Sequence, residues 1–325
     1  MEAERTFKLN TGATIPAVGL GTWTIFGDHG STTEVEEAVK AAIELGYRHI
    51  DTAFVYDNIS AVGRAVNAKI QDGTVKREDL FITSKLWCTY LRKESVMPQL
   101  KKELEQMGLE YLDMYLIHWL LAYKTGDVLF PKDAAGKMIL ADDDYRPLET
   151  WQGLEECQDA GLTKAIGLSN CNSKQIQEIL DGARIKPANI QVEIHPLFSN
   201  SKLIQFCREK IPGVVITAYA PLCAPGRPWR KPTDPILFDD PRLVEIAKKK
   251  NKTQAQVVLR YMNQKGYVII PKSIKKERLK ENFDIFDFKL SPEEMKIMDG
   301  FDKNFRIYWE DIGRHSPHYP FNEEF

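Results

Sequence analysis

The sequence predicts an α/β protein: a closed (β/α)8 TIM barrel in one domain over residues 1–325, with a β-hairpin before it and an extra C-terminal helix and tail after it. Three observations predict this. Eight short apolar runs alternate strictly with eight stretches of helical period. Glycines stand where the helices should stop. No linker, low-complexity tract or repeat divides the chain. A doubly wound sheet usually has fewer units and carries its phosphate glycines on the first turn.

The elements follow in order. Residues 7–16, with Asn10-Thr-Gly at their centre, read as the hairpin. Short apolar strands are expected at 17–20, 47–51, 80–85, 114–118, 163–168, 189–193, 214–218 and 267–270. Amphipathic helices are expected at 33–45, 59–70, 95–107, 148–159, 173–180, 202–209, 253–264 and 275–282. Gly46, Gly108, Gly161 and Gly266 fall at helix C-termini, where a left-handed residue is needed. Ser291-Pro-Glu-Glu supplies an N-cap serine, an N1 proline and an N3 glutamate, and opens the extra helix.

Composition narrows the class. With 43% hydrophobic residues the chain can bury a large core, and its net charge of −2 gives no basic field for nucleic acid or an anionic membrane. The five cysteines are scattered, with no CxxC pair, which fits a reduced protein and no zinc site. The N-terminal segment has no apolar core of a signal peptide, and no apolar run approaches about eighteen residues. These features point to a soluble, cytoplasmic protein without nucleic-acid or membrane partners, and no metal is expected.

Four ionisable residues follow successive apolar runs: Asp51, Tyr56 one short loop later, Lys85 and His118. Burying such groups costs several kcal/mol unless they are paired. In a βα barrel the strand C-termini share one mouth, so strands two, three and four would gather them there. Taken singly, Tyr56 suits a surface loop, Lys85 a strand end, Asp51 a helix cap and His118 the core. Together they suit catalysis. An ammonium near a phenol should lower its pKa, an aspartate should fix that ammonium, and the phenol could then protonate a carbonyl oxygen oriented by the histidine.

Gly19-Leu-Gly21 follows a strand but lacks the third glycine of a dinucleotide loop. Barrel enzymes hold phosphates late, and Ile270-Pro-Lys272-Ser273 with Arg278 and Asn282 offers such an anion site after the last strand. A solvated basic helix face is the bland alternative for the same residues.

The chain resembles the aldo-keto reductases, in particular their aldose/aldehyde reductase branch. The resemblance covers almost the whole chain and rests on Gly46-Tyr-Arg-His-Ile-Asp-Thr-Ala, the Asp-Met-Tyr-Leu-Ile-His-Trp within 109–119, Gly167-Leu-Ser-Asn, Ile269-Ile-Pro-Lys-Ser and the final Tyr319-Pro-Phe-Asn-Glu-Glu-Phe. It implies NADPH-dependent reduction of aldehydes, aldoses or ketones, with Asp51, Tyr56, Lys85 and His118 as catalytic tetrad and Tyr56 as proton donor. It also implies that Gly21, Thr22 and Trp23 line the cofactor cleft, that Ser169, Asn170 and Gln191 bond the nicotinamide carboxamide, and that Tyr219 stacks on its ring beside Leu222. Lys272, Ser273 and Arg278 would hold the 2′-phosphate, with Asn282 near the adenine; two cations facing a dianion favour NADPH/NADP+ over NAD. The implied partner is a small-molecule carbonyl substrate, and the implied state a monomer. A non-enzymatic cofactor-binding relative, like channel β-subunits or lens crystallins, is the alternative. A barrel isomerase or hydrolase would need paired carboxylates or a metal cluster, which the strand ends lack.

The chain departs from the family pattern at Leu120, Ile190, Ala220, Ala224 and Gly226. The last two lack the polar side chains that help relatives fold a loop over the pyrophosphate, so a looser clasp is expected. Trp23, Trp87, Trp119, Phe130 and Trp229, with Tyr308, Trp309 and Glu310 of the tail, read as a substrate-pocket wall. If Glu310 and Asp311 face the pocket, they should disfavour anionic substrates; acids turned to solvent are the equal alternative.

Overall fold

The computed structural model describes residues 5–23, 32–141, 144–309 and 313–323. The hairpin pairs β1 (Thr6–Lys8) with β2 (Thr14–Pro16), Phe7 facing Ile15. Gly12 takes φ +90°, and its N–H meets the Leu9 carbonyl at 3.0 Å, so the turn needs a residue free of a Cβ.

Eight parallel strands follow: β3 (Leu20–Gly21), β4 (His49–Asp51), β5 (Phe81–Leu86), β6 (Met114–Ile117), β7 (Ile166–Ser169), β8 (Asn189–Glu193), β9 (Val215–Tyr219) and β10 (Tyr267–Ile269). They neighbour one another in chain order. Val18 bridges Ile269 and Gly21 bridges Lys272, both in parallel, so the two edges meet and the predicted barrel closes. Closure explains the two early glycines. A Cβ on Gly21 would stand 2.7 Å from the Ile270 carbonyl oxygen, and one on Gly19 would stand 2.6 Å from the His49 ring. They serve strand packing rather than a dinucleotide loop.

Leu9 and Ile15 of the hairpin pack with Phe81, Met114, Ala165, Ala188 and Val215, residues at or near the starts of the strands. The hairpin therefore plugs the N-terminal end of the barrel, which leaves the C-terminal end as the open mouth.

The helices are α1 (Thr32–Glu44), α2 (Ile59–Gln71), α3 (Lys93–Met107), α4 (Pro147–Asp159), α5 (Ser173–Gly182), α6 (Ser201–Lys210), α7 (Pro241–Lys250), α8 (Gln254–Gln264), α9 (Lys276–Phe283) and α10 (Pro292–Asp299). Gly108 caps α3 at φ +63°, and the Ser291–Glu294 capping box opens α10 as expected. The sequence reading missed α7. Its signals were present: Asp240 accepts from the Arg242 N–H, and Pro241 sits at the first helical position. A rule of one helix per strand hid them, because the loop after β9 carries both α7 and α8.

Glu103 of α3 is fully buried and accepts hydrogen bonds from Ser84 Oγ (2.6 Å), Tyr115 OH (2.8 Å) and Gln99 Nε2 (3.3 Å). Burial outweighs these bonds and raises its pKa from 4.5 to about 7. A proton held more tightly in the folded state stabilises the fold below pH 4.5, and that contribution is lost as pH rises towards about 7. The unfolding free energy of the wild type, relative to Glu103→Gln, should therefore fall by about 3 kcal/mol across that window. Parallel stability profiles for the two proteins in denaturant would exclude this account.

Candidate active site

The mouth is built from strand ends. β4 ends in Asp51, and a single 3-10 turn (Phe54–Tyr56) closes with Asp57 at φ +54° before α2 starts. That compact turn returns Tyr56 over the strand it left. β5 delivers Lys85, and His118 directly follows β6.

Lys85 is fully buried and spends its three donors on Asp51 Oδ1 (2.6 Å), the Thr52 carbonyl (2.8 Å) and the Tyr56 hydroxyl oxygen (3.3 Å). The other Asp51 oxygen accepts from Gln191 Nε2 at 2.7 Å. The ion pair is thus saturated with hydrogen bonds, the condition under which buried charges are tolerated. An ammonium has no acceptor, so the Tyr56 oxygen must accept from Lys85, and its own O–H is left to point elsewhere.

The expected downward tuning of the phenol is not what the site produces. Burial first, and the Asp51 carboxylate second, push the Tyr56 pKa well above 10. Lys85 cannot offset this, because Asp51 neutralises it and burial lowers its own pKa. The phenol keeps its proton near neutral pH. Burial, with Lys85 adding to it, holds His118 far below the usual imidazole range, so the ring is neutral. Its edge faces Tyr56 (centroids 5.6 Å, 77°) and Trp87 (5.4 Å, 71°), and its buried Nδ1 has no hydrogen-bond partner among the described residues.

A second group of expected residues lines the next strand ends. Asn170, at φ +49°, donates to the His118 carbonyl (3.0 Å) and to Ser169 Oγ (3.2 Å), and accepts from the Tyr219 hydroxyl (2.7 Å). With Gln191 turned to Asp51, these side chains brace the quartet from behind. Thr22 caps the same strand end, its Oγ1 donating to the Asp51 carbonyl at 3.0 Å. Asn58, to which the sequence reading gave no part in the site, locks this corner by donating to the Thr22 carbonyl (2.9 Å) and accepting from Thr52 Oγ1 (3.2 Å). Its Asn58-Ile-Ser sequon said nothing of this role, which depends on two loops meeting.

Gly21, Thr22, Lys272 and Ser273 line one crevice together with Leu20, Val35 and Ile274. Ser273 Oγ accepts from the Lys275 N–H (3.1 Å) at the start of α9. Arg278 is exposed on α9 and Asn282 is buried there. Leu222 is half-buried in the loop after β9. That loop puts Ala220, Cys223 and Ala224 at positive φ, and Arg227 pins it by pairing with Asp234 and capping the Cys223 carbonyl.

The aromatic residues form three groups rather than one wall. Trp23, Trp229 and Tyr308 meet edge to face at 5.7–6.3 Å, with Tyr219 against Tyr308 at 5.6 Å. Trp87 contacts Phe130 (5.4 Å) beside His118 and donates Nε1–H to the Leu129 carbonyl. Trp119 and Trp309 both meet Phe321 instead. Glu310 and Asp311 lie outside the described residues. Among the described residues no group of three His, Cys, Asp or Glu could hold a metal ion, and no helix is long and apolar enough to cross a membrane.

Residues 17–303 match the model of the aldo/keto reductase family. The chain is 47% identical to prostaglandin F synthase 1 of Bos taurus over 321 residues, 98% of each chain. It is also 47% identical to dihydrodiol dehydrogenase 3 of Bos taurus with the same coverage. Among solved structures, the aldose reductase of Schistosoma japonicum superposes with a TM-score of 0.88 at 42% identity, covering 100% of both chains.

Proposed function

The chain belongs to the aldo/keto reductase family, oxidoreductases of small carbonyl compounds, and on that premise we propose that it reduces aldehydes or ketones with NADPH, with Tyr56 as proton donor. The observation that carries this reading is the Lys85–Tyr56 hydrogen bond within the buried Asp51 pair. It fixes the phenol oxygen as an acceptor and leaves its proton for the mouth.

The residues present fit a dinucleotide. The crevice between β3 and the segment after β10 brings Gly21, Thr22, Lys272 and Ser273 together over a floor of apolar side chains that includes Val35, Ala38 and Val39. Lys272, Ser273 and Arg278 would hold the 2′-phosphate, Asn282 the adenine end, Gly21, Thr22 and Leu222 the middle, and Ser169, Asn170, Gln191 and Tyr219 the nicotinamide. When bound, the cofactor supplies a hydride to the carbonyl carbon.

The chain's own groups do the rest. Neutral His118 can donate one ring N–H to the substrate oxygen and so orient it. As negative charge grows there, the oxygen becomes basic enough to take the phenolic proton, since an alkoxide is a stronger base than a phenolate. Tyr56 then gives up its proton, and Lys85 stabilises the phenolate left behind. The aromatic side chains of Trp23, Trp229 and Tyr308, gathered in one group, suit an apolar organic carbonyl.

The test is a carbonyl panel run with NADPH and with NADH. Lys272→Ala or Arg278→Ala should raise KM for NADPH roughly tenfold to hundredfold, because a lost charged hydrogen bond is worth about 1.5–3 kcal/mol. KM for NADH should barely move. Equal effects on both cofactors would remove these cations from the 2′-phosphate.

A further inference from the structure

Strand β8 serves the mouth at two levels. Successive strand residues alternate between faces, so Gln191 and Glu193 point to the same side. Gln191 braces Asp51. Glu193 is fully buried one level higher and reaches the C-terminal tail instead. Its Oε1 accepts from the Ile307 N–H at 2.6 Å and from the His195 ring at 2.9 Å, and its Oε2 accepts from the Tyr308 N–H at 2.9 Å. Three N–H groups thus converge on two oxygens, which only a side chain that accepts at both can satisfy.

That contact fixes where Tyr308 stands. Upstream, the tail is held by the Leu197 carbonyl, which accepts from the N–H groups of Lys303 (3.1 Å) and Phe305 (2.9 Å). At Tyr308 itself the anchor is Glu193. The half-buried Tyr308 ring then meets three others edge to face: Trp23 at 5.8 Å, Trp229 at 5.7 Å and Tyr219 at 5.6 Å. Trp23 follows β3, Tyr219 ends β9 and Trp229 lies in the loop beyond it. Tyr308 is therefore the ring on which this aromatic group closes, and its backbone is set by a carboxylate from a different strand.

We propose that Glu193 is a positioning residue that determines specificity: by clamping the Ile307 and Tyr308 amides it holds the Tyr308 ring against Trp23 and Trp229, and so completes the wall that grips the apolar part of the substrate. This role rests on the reductase reading of the mouth. Glu193 stays out of the chemistry, since its hydrogen-bond partners among the described residues are the two tail amides and His195, not the quartet. Its loss should weaken the hold on large apolar carbonyls and spare small ones, which do not reach that wall.

The full-length protein is assayed with NADPH on propanal and on 2-naphthaldehyde. Glu193→Gln keeps the side chain's size but leaves one tail amide without an acceptor. KM for 2-naphthaldehyde should rise roughly tenfold, the worth of one lost bond to a charged group, while kcat and KM for propanal stay within about twofold. Tyr308→Ala should show the same split, and the double variant no further loss, because both changes act through one ring. Independently of turnover, the Ile307 and Tyr308 amides should exchange with deuterium roughly tenfold more slowly in the wild type than in Glu193→Gln. Should Glu193→Gln not fold, protection of those amides in the wild type and the Tyr308→Ala split still decide. An unchanged 2-naphthaldehyde KM beside normal propanal turnover, equal losses of kcat on both aldehydes, additive losses in the double variant, or unprotected amides in the wild type would each overturn this role alone. A wild type that reduced neither aldehyde would overturn the reductase reading, and this role with it.

Discussion

Tyr56→Phe should lower kcat by about 10²–10⁴-fold, the usual range for removal of a general acid, while leaving the fold and cofactor affinity intact. The fold should survive because the hydroxyl oxygen only accepts a long 3.3 Å bond from Lys85, which keeps Asp51 and Thr52 as closer partners. The loss should fall on kcat rather than KM, since the missing proton matters only once charge develops on the substrate oxygen. Cofactor oxidation followed with an aldehyde, beside thermal unfolding of both proteins, checks each half. Turnover that survives the substitution undiminished would sink Tyr56 as donor, and with it the reading of the whole quartet.

Lys85→Met should be costly in a different way. It leaves Asp51 at 2% exposure, with the Gln191 amide as its remaining side-chain partner. Stranding one member of a buried ion pair typically costs about 3–5 kcal/mol. Turnover should also collapse, because nothing would then stabilise the Tyr56 phenolate. The two effects separate in the double variant Asp51→Asn/Lys85→Met. With no charge left to strand, stability in urea should recover in large part, while activity stays lost. A single variant as stable as the wild type would mean that water reaches Asp51 and that the pair is not the buried element described above.

Much of this site was legible in the sequence, because its residues lie at strand termini. Once Asp51, Lys85 and His118 were assigned to consecutive strand ends, the barrel's parallel order brought them to one mouth. The late cations were legible for the same reason, following the last strand. The pKa of Tyr56 was not. The sequence places an ammonium near the phenol, but only the fold shows how completely Asp51 neutralises that ammonium and how fully the ring is buried. The role of Glu193 was equally hidden. Its carboxylate meets the backbone of Ile307 and Tyr308, more than a hundred residues away, and no local pattern encodes that contact.

The sequence by itself determined the βα order apart from α7, the hairpin, the capped extra helix and the placing of Asp51, Lys85 and His118 at consecutive strand ends, since periodicity and caps are local properties. Tertiary structure alone decided that Gly19 and Gly21 close the barrel, that the aromatic wall divides into three groups, and that Asn58, Gln191 and Asn170 brace the mouth from behind. Those outcomes depend on distances between segments far apart in the chain, and such distances exist only once the core has packed.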